Sequence, residues 1–251
     1  MDDESVKRYA LRLADDALVL GHRLSEWSSR GPYLEEDLAL TNVALDYLGR
    51  ARLFYGYAVK LSDDGSTEDS FAYLRGCREF TNHLIHELPV GDFAFTMTRQ
   101  YLVDEFNQAF MESLLQSNDT TLVAIAGKVI KEGAYHIRRS HEWMLTLGDG
   151  TEESHERMQR AIEELWGYTF ELFEMDRLDS LMASLGVGVD RASLYEPWLH
   201  RVSTTLNDST LIQPTDDWRV TGGRRGVHTE FLDHMLSDLQ FLQRAYPGQQ
   251  W

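Results

Sequence analysis

The chain is poor in several residue types, and each scarcity excludes something. Among 251 residues there is one cysteine, Cys77, and there are only five prolines. One thiol can close no intramolecular disulfide and supply no cysteine-based zinc or iron–sulfur site. Basic residues are also few: 24 Lys and Arg stand against 41 Asp and Glu, a net charge of −17. That balance excludes the basic face that nucleic acid or anionic lipid demands. No run reaches the ~18 apolar residues of a membrane span. The opening Met-Asp-Asp-Glu-Ser has neither the basic nor the apolar part of a secretory signal. The expectation is a cytoplasmic protein with no nucleic-acid or membrane partner.

What is present is core material, with 43% hydrophobic and 11% aromatic residues, so a disordered chain is excluded. Pro32, Pro89, Pro197, Pro214 and Pro247 leave long proline-free intervals, and Val/Ile-rich runs are rare. Both features favour helices over strands, and the expected fold class is all-α.

Periodicity predicts a first helix from about Ser5 to Ser28, with Val6, Ala10, Leu13, Ala17, Leu20, Leu24 and Trp27 on one stripe. A second spans roughly Glu35 to Leu61, its acidic first turn favoured by the helix dipole, with Leu38, Leu45, Leu48, Arg52 and Tyr55 as its stripe. Residues 67 to 88 suit one or two short helices. Long helices follow over about Asp92–Gln116, Thr120–Leu147 and Thr151–Ser184, then shorter ones near Asp190–Leu206 and Thr229–Ala245. Four long helices with a decorated C-terminal half describe a helical bundle. A crossover over residues 62–91 makes it ferritin-like, a single domain over 1–251.

Carboxylate-bridged di-iron bundles take one carboxylate from each of two helices and a Glu-x-x-His pair from each of two others. Residues at i and i+3 share a face, so both can grip one metal pair. In the third long helix, Asp104 and Gln108 sit inside the stripe Met97, Tyr101, Met111, Leu115. In the fourth, Glu132 and His136 sit inside Leu122, Ile125, Val129, Trp143, Leu147. Asp16 borders the core face of the first helix, and Asp46 shares a face with Asn42, Gly49 and Leu53 on the second. The carboxylates number one per helix, but the histidines are missing: Gly49 follows Asp46 at i+3, Tyr135 follows Glu132, and His136 falls at i+4. The sole Glu-x-x-His, Glu152 to His155, lies in a polar first turn.

Two accounts stay open. One is a buried polar network of Asp16, Asp46, Asp104, Glu132 and His136, joined by Arg50 or Arg52; the other is a di-metal oxygenase using Asp46, Asp104, Glu132 and His136. Burial of such groups is expensive unless they pair or bind metal. His83 and His86 suit surface or inter-helix packing, as the tyrosines and tryptophans suit packing. The glycine-rich Thr221–Gly226 reads as a structural turn, or as a CoA phosphate contact through Arg224 and Arg225.

Several long motifs carry a resemblance. They are Tyr9-Ala-Leu-Arg-Leu-Ala-Asp-Asp16, Gly21-His-Arg-Leu-Ser-Glu-Trp27, Glu36-Asp-Leu-Ala-Leu40, Leu45-Asp-Tyr-Leu-Gly-Arg-Ala-Arg52 and Lys131-Glu-Gly-Ala-Tyr-His136. Thr221-Gly-Gly223, His228-Thr-Glu230 and the ending Pro247-Gly-Gln-Gln-Trp251 complete the set. With these the chain resembles, end to end, the C-type subunits of bacterial ring-1,2-phenylacetyl-CoA epoxidases. The resemblance implies a ferritin-like, non-catalytic subunit that pairs with an A-type subunit keeping the di-iron ligands. It further implies other members of the complex, a reductase delivering electrons from NADPH, and phenylacetyl-CoA reached through the complex. This chain itself is expected to bind no cofactor or metal, and Asp16, Asp46, Gly49, Asp104, Glu132, Tyr135 and His136 become vestigial di-iron positions. A homodimer stays open.

Overall fold

A computed structural model describes residues 3–215 and 217–249. Gln250 and Trp251, the end of the last motif above, and Met1 and Asp2 lie outside the described residues. Ten α-helices and no strand occur among the described residues, as an all-α chain requires. Contacts divide the chain into two compact units, Met1–Pro89 with Thr221–Trp251, and Val90–Val220.

The first unit is built on a hairpin of α1 (Asp3–Ser25) and α2 (Leu34–Lys60). The predicted α1 stripe is buried from Val6 through Leu24. Acidic Asp3 and Glu4 open the helix and Arg23 closes it, each charge suited to its end of the dipole. At Gly21 the two helices come close: an added Cβ there would lie 3.1 Å from Tyr47 Cβ and 3.2 Å from the Ala44 carbonyl.

The predicted stripe of α2 holds at Tyr55, which is buried, and in part at half-buried Leu48, but fails at Leu38, Leu45 and Arg52. The buried row is Leu40, Ala44, Tyr47, Ala51, Phe54 and Ala58, spaced four and three. Leu38 and Leu45 are 56% and 59% exposed, and Arg52 pairs at the surface with Glu68 at 3.2 Å. At about 100° per residue the leucine row lies on nearly the opposite side of the helix. α2 is apolar on both sides, and only one of them faces the core.

Two short helices, α3 (Glu68–Tyr73) and α4 (Leu84–Glu87), follow α2. The last helix of the chain, α10 (Glu230–Ala245), returns to this unit. Gln240 Nε2 donates to the Ala72 and Arg75 carbonyls at 3.1 and 3.0 Å, and Arg244 donates to those of Tyr73, Leu74 and Arg75. α10 thereby satisfies the carbonyls that the end of α3 leaves open.

The second unit centres on α5 (Phe93–Leu114) and α6 (Thr120–Gly148), capped by Asp92 and Asp119. α7 (Glu152–Thr169) opens with a Thr151–Ser154 capping box. His155, the sequence's Glu-x-x-His histidine, has Nδ1 2.8 Å from the Gly148 carbonyl at the end of α6.

The single helix expected over Thr151–Ser184 is broken. A 3-10 turn at Phe170–Phe173 follows α7, and α8 starts afresh at Arg177–Ser184 with Asp176 as its cap. The cause is Arg191, whose guanidinium donates to the Leu172 and Glu174 carbonyls and pairs with buried Asp179 at 2.6 Å. Carbonyls taken by an arginine need no continuing helix to satisfy them. α9 (Tyr195–Asp208) then packs on α5: Trp198 Nε1 donates to the Leu102 carbonyl at 3.0 Å, and Tyr101 Oη to Thr205 Oγ1 at 2.7 Å. Trp166, Phe173, Tyr195 and Trp198 form one aromatic cluster, in line with the packing role expected of these rings.

Candidate functional site

The first unit holds three carboxylates engaged inside the fold: Asp15 and Asp16 on α1, and Glu87 at the end of α4. Each anchors a segment with no long helix of its own to hold it.

Asp15 is fully buried. Its carboxylate accepts from Tyr55 Oη at 2.7 Å, from the Thr81 N–H at 2.9 Å and Oγ1 at 3.0 Å, and from both terminal nitrogens of Arg75. Burial, and then the charge of Asp15, push the Tyr55 phenol well above its usual range. Burial works against the charge on Arg75, yet Asp15 overcomes it and raises that group further.

Asp16 meets the other strand of this web. Arg224 Nη2 donates to Oδ2 at 2.7 Å, and the His83 N–H donates to Oδ1 at 2.8 Å. The Nδ1 atoms of His83 and His86 each stand 3.2 Å from Oδ1. Burial alone would raise this carboxyl, but Arg224 and His83 together hold it well below the usual carboxylate range.

Glu87 receives Asn82 Nδ2 at 2.8 Å, and the Thr229 N–H and Oγ1 at 2.6 and 2.8 Å. His228 stands with Nδ1 2.7 Å from Glu87 and Nε2 2.9 Å from the Phe80 carbonyl. The ring thereby bridges the Glu87 carboxylate and the backbone of Phe80. Cys77 lies beside this web, and burial, with Asp233 and Glu87 adding their charges, pushes its thiol up to about 11. At pH 8 its alkylation by iodoacetamide should run about a hundredfold slower than that of an exposed thiol. A rate equal to that of free cysteine would contradict this placement.

The site residues read from the sequence are distributed differently from expectation. Asp104 is buried in α5 and accepts from Ser140 Oγ on α6 at 3.0 Å and from Gln100 Nε2 at 3.2 Å. His136 is buried on α6, and Glu132 is half-buried. Asp46 is half-buried on α2, Gly49 is exposed, and Tyr135 is 41% exposed. Asp16 belongs instead to the web with Arg224. Arg50 is buried with its guanidinium 4.4 Å from the Tyr47 ring centre, whereas Arg52 is at the surface.

The glycine-rich turn and the two histidines have clear places. Arg224, one of the two arginines read as a possible phosphate contact, is engaged internally with Asp16, the Arg12 carbonyl and the Thr81 carbonyl. Arg225 is exposed, but the turn around it is packed shut. A Cβ on Gly223 would fall 2.0 Å from the Asn82 carbonyl, and one on Gly226, already at φ +69°, 2.3 Å from that of Arg78. Of the two roles open to His83 and His86, surface or inter-helix packing, the structure shows the second, since both are buried against Asp16 of α1. The signal for them was the density of Asn82-His83 and His86-Glu87 in a segment too short to shield four polar groups by itself.

The donor set does not fit a carboxylate-bridged di-iron pair. Gly49 offers no ligand atom, Tyr135 is turned substantially to solvent, and both oxygens of Asp104 already accept hydrogen bonds. An open groove of about 610 Å³ beside α2 and α3 is lined by Leu18, Tyr55, Val59 and Ala72, with Glu68 and Asp69 at its polar side. Its one arginine, Arg52, is paired with Glu68, a poor match to the phosphates of CoA.

Comparison with known proteins agrees with these features. The model of the Phenylacetic acid catabolic protein family matches residues 1–251. A curated relative, the C-type subunit of the 1,2-phenylacetyl-CoA epoxidase of Escherichia coli (strain K12), is 46% identical over 243 residues, 97% of this chain and 98% of that protein. With ferritin-like helical architecture, a web of internally paired carboxylates and a match along its whole length, the chain belongs to the PaaA_PaaC family of phenylacetic acid catabolic proteins.

Proposed function

We propose that this chain is a non-catalytic subunit of a phenylacetyl-CoA ring 1,2-epoxidase, acting in aerobic phenylacetate degradation. It pairs with an A-type subunit that holds the di-iron centre, alongside a reductase supplying electrons from NADPH. The reading puts it in the cytoplasm, where a single cysteine stays reduced. The observation that carries it is the failed donor set: glycine and an exposed tyrosine stand where a di-iron protein needs histidines. Its own buried carboxylates are spent on holding segments together.

A partner needs a surface, and the outer side of α2 supplies one. Leu34, Leu38 and Leu45, spaced four and seven, are 72%, 56% and 59% exposed, with Tyr33 beside them. An exposed apolar row along the N-terminal half of α2, on a strongly acidic chain, is a feature of protein interfaces. Co-expression with the A-type subunit should give a complex that survives gel filtration. Leu38→Glu combined with Leu45→Glu should weaken it at least about tenfold, with the chain's melting temperature unchanged because neither leucine is in the core. Two results overturn the reading: no association with the A-type subunit, or about two irons per isolated chain with a bridging-oxo absorption.

A further inference from the structure

The web around Asp16 also gathers potential metal ligands, although Asp16 Oδ1 already accepts from the His83 N–H at 2.8 Å and from Arg224 Nη1 at 3.3 Å. Asp16, His83 and His86 each offer one ligand atom, and these atoms lie within 4.8 Å of one another. Asp16 Oδ1 is 3.2 Å from both imidazole Nδ1 atoms. A first-row dication with bonds of about 2.0–2.1 Å sets adjacent donors roughly 3.0–3.4 Å apart. The pairs formed by Asp16 with each histidine already have that spacing.

His86 supplies the second observation. It is 2% exposed, and neither ring nitrogen has a hydrogen-bond partner. Its Nδ1 is near Asp16 but not aligned to bond with it. A buried imidazole with both nitrogens unsatisfied is rare and calls for a ligand. The surroundings also resemble a prepared site. Arg224 fixes Asp16 through Oδ2 at 2.7 Å, as outer groups fix ligating carboxylates elsewhere. His83 is held at the N-terminal end of α4 by its own N–H to Asp16.

We propose that Asp16, His83 and His86 bind one divalent transition-metal ion, of the zinc or ferrous class that accepts two imidazoles and a carboxylate. The ion ties α1 to the segment that leads into α4, and water completes its coordination. Arg224 opposes it, because its Nη2 lies 3.3 Å from His83 Nδ1 and carries a like charge. Affinity is therefore micromolar in order, well short of a closed structural zinc site.

The test uses the full chain, stripped with a chelator and titrated calorimetrically with Zn²⁺, then with Co²⁺ to read its ligand-field spectrum. One equivalent should bind, with a rise in melting temperature. His86→Gln should weaken binding by about a hundredfold, with its melt in chelator measured beside the wild type to show that the variant is folded. His83→Gln serves as the second variant should the first not fold. The proposal is overturned if no ion binds at about 100 µM metal. It is equally overturned if binding persists unchanged in a folded His86 or His83 variant, which would assign the ion to the acidic surface.

Discussion

Replacing Asp15 by asparagine lowers the stability of the first unit by about 3–5 kcal/mol, the range for breaking a buried charge pair from one side. The size follows from what remains. The Arg75 side chain, only 13% exposed, keeps its charge uncompensated, and its guanidinium then faces an amide that can point an N–H at it. Tyr55 bonds one oxygen and Thr81 the other, so whichever becomes the amide nitrogen, one of the two residues also loses its acceptor. Arg75 keeps the Phe71 and Glu79 carbonyls, at 2.6 and 3.1 Å, but these carry no net charge. Tyr55→Phe gives the scale for comparison: it removes one hydrogen bond and should cost about 1 kcal/mol. Urea melts of the two variants measure the difference through the midpoint, with the slope unchanged. If Asp15→Asn costs no more than Tyr55→Phe, the carboxylate is not what neutralises Arg75.

That placement bears on how far the sequence could be read. The α1 stripe was legible because one side of that helix is apolar and the other is not. On α2 both sides are apolar, so period alone could not choose, and the leucines that look most like core residues are the exposed ones. Under the proposed pairing the reason is external to the chain, since a surface that meets a partner obeys the same composition rule as a core. Asp15 and Asp16 show a second limit. They are adjacent, so they point about 100° apart on α1, and each finds a separate arginine far away in the sequence, Arg75 and Arg224. No local pattern announces such a pairing. His83 and His86 were given to packing because a four-residue helix leaves no periodicity to test, and the Gly222–Gly223 turn resembled a phosphate loop because both need bare backbone. Here the bare backbone admits the Asn82 carbonyl.

The second unit gives the corresponding result for a different kind of pair. Arg191 and Asp179 are each 2% exposed and 2.6 Å apart. Arg191→Met should destabilise that unit by about 3–5 kcal/mol, because it strands a buried carboxylate and also removes the donor to two carbonyls. Those carbonyls, of Leu172 and Glu174, sit where α7 gives way to the turn before α8. Loss of the guanidinium therefore acts on the break itself, and amide exchange should accelerate first across residues 170–180. Adding Asp179→Leu to Arg191→Met separates the two contributions. Removing both charges restores the part due to the stranded carboxylate, as buried pairs replaced by apolar residues often do. The part due to the open carbonyls stays lost, roughly 1–3 kcal/mol. Equal stability of the single and double variants would mean that Asp179 is satisfied without Arg191, through the backbone N–H of Asp176 that it already receives at 3.2 Å. The pair would then be a consequence of the helix break, and the capping box at Asp176 its cause.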